Sequence, residues 1–174
     1  MTDLGNIAPP GEGTEMPESS TKKQQALVVM GCPEVPVQMA IGLYIGRNLR
    51  KDGMEVVVTG NPAVLNLVRA SDPDHHYLEK MLGLDRCIGE IVEKKRTADF
   101  CVAFAHNDAG ISYAATIRHL IPGRLIVIIF GRNAEELAEA IDFPCEMVVE
   151  KAVHNPVQLQ KKVKVVFGWD ASKT

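Results

Sequence analysis

The sequence predicts a three-layer α/β/α domain, doubly wound around a mainly parallel sheet of five or six strands, Rossmann-like in its layering. Three observations carry this. Short unbroken apolar runs recur along the chain, as expected of strands buried on both faces. Each is followed by a stretch with apolar residues at helical spacing. A polar motif separates every such pair.

The first strand is residues 26–30, ALVVM. Pro36 suits the first turn of the helix that follows, where Val37, Ala40, Ile41, Tyr44 and Ile45 recur on one face and Gly53 ends the run. Residues 55–59, EVVVT, are the second strand; Asn61-Pro62 opens a helix, with Asn as cap and Pro in first position. After the turn at residues 71–74, SDPD, the spacing predicts helical pieces over residues 75–82 and 85–96, broken at Gly83. Residues 99–105, DFCVAFA, form the next strand, with Asn107 or Asp108 capping a helix to Leu120. Residues 124–130, RLIVIIF, are the most apolar strand; Asn133 to Glu136 resembles a capping box with Asn in place of Ser or Thr. The last pair is residues 145–150, CEMVVE, and a helix opened by Asn155-Pro156 that ends near Phe167. Five strand–helix units in succession, joined by right-handed crossovers, make one parallel sheet.

Residues 1–24 are rich in Gly, Pro, Ser, Thr and Glu and read as a disordered tail; residues 25–174 read as one domain. The formal net charge of −3 gives no global field for nucleic acid or anionic lipid. No apolar run has the length of a membrane span and no signal-peptide core is present, so a cytoplasmic protein is expected. The four cysteines, Cys32, Cys87, Cys101 and Cys145, form no CxxC pair, and neither a disulfide framework nor a zinc knuckle is read from them.

In a parallel sheet the five polar motifs share the carboxyl-end edge, where open α/β sheets bind ligands. They are residues 31–38 (GCPEVPVQ), Gly60-Asn61-Pro62, His106-Asn107-Asp108, Gly131-Arg132-Asn133 and His154-Asn155-Pro156. Helix capping accounts for Asn61, Asn133, Asn155 and one of Asn107 and Asp108. It leaves Cys32, Glu34, Gln38, His106, Arg132 and His154 unexplained. Gly31, Asn61, Asn107, Asp108 and Asn155 join them as candidate ligand-binding residues by position. Cys32 is either a thiol activated at a helix start or a turn filler, and with His106 it is the candidate for catalysis. No metal site is assigned; Cys32, His106 and His154 would be the ligands, from three different strand ends. Arg132 suits an anion. GxGxxG, GxxxxGK[ST] and GxSxG are all absent, which argues against a classical dinucleotide fold site, a P-loop and a hydrolase elbow. No cofactor is named by these residues.

Taken together, residues 31–38, Thr59 with Asn61-Pro62-Ala63, Asp72-Pro73, Asn107-Asp108-Ala109 and His154-Asn155-Pro156 resemble a family of methanogenic archaea known as a domain of unknown function, number eighteen-ninety. The resemblance covers about residues 26–165. It implies a parallel sheet flanked by helices, an anaerobic cytoplasmic setting and a self-associating protein, and it transfers no residue roles. A homodimer is expected, also because Val163, Val165, Val166, Phe167 and Trp169 crowd near the carboxyl end. Three functions compete: binding of a small anionic metabolite or cofactor, an enzyme or metal protein using Cys32 with His106 or His154, and a non-catalytic partner subunit.

Overall fold

The computed structural model describes residues 23–170. The tail expected over residues 1–24 therefore lies outside the described residues, save Lys23 and Gln24, as do residues 171–174.

Strands and helices alternate throughout. They are β1 (Gln25–Met30), α1 (Val37–Lys51), β2 (Glu55–Gly60), α2 (Pro62–Ser71), β3 (Lys80–Gly83) and α3 (Leu84–Val92). Then come β4 (Phe100–Ala105), α4 (Asp108–Leu120), β5 (Arg124–Phe130), α5 (Ala134–Glu139), β6 (Glu146–Glu150) and α6 (Val157–Phe167). The six strands form one all-parallel sheet in the order β3-β2-β1-β4-β5-β6. The chain winds outward from β1 to β3, then returns to β4 on the far side of β1. Strand order reverses between β1 and β4.

Alternate side chains of each central strand feed opposite cores. Val28, Met30, Val58, Val102, Phe104, Ile128 and Phe130 pack with α1, α2 and α6; Leu27, Val29, Cys101, Ala103, Val127 and Ile129 pack with α3, α4 and α5. Helices on both faces explain why β4 is buried at every position and why its sequence does not alternate.

The helix expected over residues 75–82 is absent, and β3 occupies its second half. The cause is Asp72. Its carboxylate accepts hydrogen bonds from the backbone N–H of His76, Tyr77 and Leu78 at 2.8–2.9 Å, so these donors are held in a loop. His75 enters that loop at φ +54°. Leu78 is then driven into the core against α1, where a β-carbon on Gly46 would stand 2.2 Å from its Cδ2. Gly83 does not break a helix but precedes α3 as its cap, and α3 stops at Val92 rather than running to Arg96. Lys94 turns to φ +57°, and the N–H groups of Lys95 and Arg96 return to the carbonyl of Glu90. Asn133 makes no capping hydrogen bond from its side chain, so the expected capping box does not form.

At the carboxyl end α6 closes on Gly168, at φ +72°, in the left-handed conformation that favours glycine. The turn sends Trp169 back onto its own chain. Its ring stacks on Phe167 at 4.3 Å between centroids, meets Tyr44 edge-on, and its Nε1–H donates to Asp52. The expected apolar patch is thus largely intramolecular, with Val163 buried and Val165 left exposed.

Candidate functional site

All strands run the same way, so the loops that follow them share one edge. The loops after β1 and β4 flank the point where strand order reverses, the position at which such sheets open into a crevice.

The loop after β1 begins at buried Gly31 and reaches α1 through half-buried Cys32, Pro33 and Val35 and exposed Glu34 and Pro36. Gln38, in the first turn of α1, is only 1% exposed. Its Nε2–H donates to the carbonyl of Gly31 at 3.1 Å. Its Oε1 is buried and has no hydrogen-bond partner among the described residues. Leaving such an acceptor unpaired costs about 1–3 kcal/mol.

His106 follows β4. Its side chain is 5% exposed, and its ring packs at 5.5 Å from the Phe130 ring. Its Nε2 lies 3.3 Å from Glu34 Oε2 and 3.3 Å from Asn107 Nδ2. Asn107 Oδ1 accepts the Gly110 N–H, which caps α4 and turns Nδ2 toward the histidine. One ring nitrogen thus faces both an acceptor and a donor. With a proton on Nε2 it donates to Glu34; without one it accepts from Asn107. The pair can hold or pass a proton at that atom.

The loop after β5 joins them. Gly131 adopts φ +101°, closed to most side chains, and its absent β-carbon would stand 3.6 Å from His106 Cβ. Its N–H donates to Ala152, and the Val37 N–H donates to Val153, so the loop after β6 laces the set together.

The structure therefore brings together Gly31 with Gln38, and Glu34, His106 and Asn107 with Gly131. Other candidates stand apart. Asn61 accepts from Val64 N–H as the cap of α2, and Asn155 accepts from Val157 N–H. Asp108 is exposed in the first turn of α4. Arg132 is exposed and makes no ion pair among the described residues. His154 is exposed and lines a separate shallow hollow with Lys151, Val153 and Gln158. Cys32 does not lie at a helix N-terminus: it precedes Pro36, the residue before α1, and the first N–H groups of α1 are taken by Val153 and Val35. Among the described residues no three His, Cys, Asp or Glu side chains gather around a point, so Cys32, His106 and His154 do not form a metal-ligand set.

A second hollow, with no signal in the sequence, lies at the opposite edge and is lined by Leu49, Asp52, Met54, Phe100, Arg124 and Trp169. Asp52 accepts from Trp169, and Arg124 forks onto Glu146 at 2.6 and 2.7 Å while its guanidinium lies over the Phe100 ring. These partners make it the seam that seats the end of α6. The arginine bonds hold the Glu146 carboxyl below the usual carboxylate range. Elsewhere burial pushes the Cys101 thiol well above its ordinary value and raises that of Cys87.

A family model described as Domain of unknown function (DUF1890) matches residues 27–166. The chain belongs to this family. DUF1890 thus runs from the third residue of β1 to the last but one of α6. The uncharacterized protein MJ0452 of Methanocaldococcus jannaschii is 30% identical over 144 residues, which is 82% of this chain and 96% of that protein. The solved structure of MT0777 is 33% identical and superposes with a TM-score of 0.74 over 86% of this chain and all of that one. The DUF1890 fold is therefore the six-stranded parallel sheet described above, as the motif resemblance implies.

Proposed function

We propose that this protein is a cytoplasmic homodimer that binds a small anionic metabolite or cofactor at the carboxyl-end edge, in the crevice between β1 and β4. The observation that carries the reading is the meeting of three loops at the reversal of strand order: Glu34 from the first, His106 from the second and Gly131 from the third. Arg132, next to Gly131 and in no ion pair among the described residues, supplies positive charge at that rim. The capped N-termini of α1, α2 and α6 supply less, because their caps and neighbouring carbonyls already use N–H groups there. The charge for an anion therefore comes chiefly from side chains.

The test is a titration of the isotope-labelled full chain with inorganic phosphate, followed by NMR. Binding should move the signals of Gly131 and His106, and Arg132→Ala should weaken it about tenfold, the worth of one charge-assisted hydrogen bond. Phosphate that moves neither signal, or an unchanged affinity in the variant, sinks the reading.

An enzyme reading draws support from one observation, the Glu34–His106 contact, which offers a proton-transfer pair. It assigns the chemistry to His106 with Glu34, and Cys32 is not needed. Turnover of a bound ligand that is lost in His106→Gln with binding retained would establish it.

A further inference from the structure

The geometry points to a ligand that enters the crevice through a neutral N–H group, the edge of a carboxamide or lactam, donated to Gln38 Oε1. This rests on the reading of the β1–β4 crevice as a ligand site and names the chemistry of the ligand's inner end.

Among the described residues two buried side-chain atoms have no hydrogen-bond partner, Thr59 Oγ1 near the end of β2 and Gln38 Oε1; of the two, only Gln38 is tied to the loop after β1 that flanks the reversal of strand order. Gly31 has a carbonyl that needs a donor, and Gln38 Nε2 supplies it. That bond fixes which way round the amide sits, so the atom left over is the oxygen. It is an acceptor, and what it lacks is a hydrogen-bond donor. The gap in front of it is visible at Gly31. A β-carbon built there would sit at ordinary contact distance, 3.8 Å from Gln38 Oε1 and 3.6 Å from the carbonyl oxygen of Phe104, with nothing nearer outside residues 30–32, so the space at rest is the size of one methyl group. Two acceptors thus border a space with no side chain in it. The register explains why the space exists: β1 and β4 stay paired through Val29 and Ala103, and no pairing joins Met30 to Phe104.

The donor that fits is neutral. Gln38 is 99% removed from water by its 1% exposure, and an ammonium brought there would lose its hydration against uncharged acceptors only. An amide N–H loses far less. Entry needs the loop over the gap to give way. Its tie to the β4 side is Glu34 on His106, and Glu34 is 68% exposed, so the tie is one that water competes with.

The experiment is an NMR titration of the full chain with 2-pyrrolidinone and, separately, with N-methyl-2-pyrrolidinone, which has the same ring and no N–H. The lactam should move the Gly31 signal and the Gln38 side-chain amide and bind about fivefold more tightly than its methylated form, the worth of one neutral hydrogen bond. Gly31→Ala should abolish this preference, because its methyl fits at ordinary contact distance and fills the gap. Gln38→Met, of similar length and without polar atoms, should abolish it too; dispersed spectra show that each variant is folded. Equal movement by both probes overturns the inference and leaves the crevice a ligand site. No movement by either also overturns it, with a buried water as the partner of Oε1, while the phosphate titration still decides the anion reading on its own.

Discussion

Glu34 Oε2 and His106 Nε2, 3.3 Å apart, join the two loops that flank the reversal of strand order. The contact couples a nearly buried imidazole to a carboxylate that is 68% exposed. A contact so exposed on one side contributes about 0–1 kcal/mol. Glu34→Ala should therefore lower stability to urea by less than about 1 kcal/mol while speeding amide exchange at Cys32 and Val35. A larger loss of stability with unchanged exchange would mean that Glu34 holds the fold and not the loop.

Asp72 gives the clearest pH dependence. Burial raises its pKa, but the N–H groups of Leu78, Tyr77 and His76 outweigh it and hold the carboxyl below its ordinary value. A carboxylate depressed in the folded state contributes stability above its unfolded pKa, about 3.9, and loses it as pH falls through the folded value. Asp72→Ala should cost about 3 kcal/mol at neutral pH, since it strands backbone donors beside buried Leu78. The gap between the two proteins should then narrow below about pH 4. Urea unfolding across that range checks it; a gap independent of pH would exclude the linkage.

Leu78 tests the same loop from the packing side. It is fully buried in the notch left by Gly46, so Leu78→Ala should cost about 2–5 kcal/mol. The protein has a single tryptophan, Trp169, and its fluorescence reports the unfolding midpoint. A cost under about 1 kcal/mol would show that the notch collapses around the smaller side chain.

Asp72 and Leu78 also mark where sequence reading stops. The parallel architecture was legible because the central strands are unbroken apolar runs and every helix but α3 announces its start with Asn or Pro. β3 was not. It is four residues, KMLG, at the sheet edge, with no β-branched residue and only partial burial, so it has neither a run nor an alternation. What makes residues 75–79 a loop is a carboxylate four to six positions before the N–H groups it binds, a contact that no local period records. At the candidate site, capping was readable at Asn61 and Asn107 because it is local. Gln38 stood out as a residue that helix capping leaves unexplained. That its amide turns back on Gly31, and that Glu34 meets His106 seventy-two positions away, depend on which strands become neighbours. Cys32, His106 and His154 share an edge, and sequence alone had no means of separating them along it.

The cysteines supply the last test. Cys32 is half-buried in the loop after β1, and Cys145 is half-buried just before β6. Burial pushes the Cys145 thiol up, and pushes those of fully buried Cys87 and Cys101 up as well. Only the thiolate attacks an alkylating agent, so a raised pKa and a closed surface slow the reaction together. The helix-dipole argument for activating Cys32 no longer applies, since the thiol lies outside α1 and the first N–H groups of that helix are occupied. Access, with the raised Cys145 pKa, then orders the four. Brief treatment of the native protein with iodoacetamide at neutral pH should label Cys32 first, Cys145 next, and Cys87 and Cys101 only through opening of the core. Glu34→Ala should quicken labelling at Cys32 without changing Cys101, because it frees the loop and leaves β4 intact. Peptide mapping reads all four sites. Even labelling across them would mean that the fold opens as a whole, and protection of Cys32 would place its sulfur inward, closing the gap in front of Gln38.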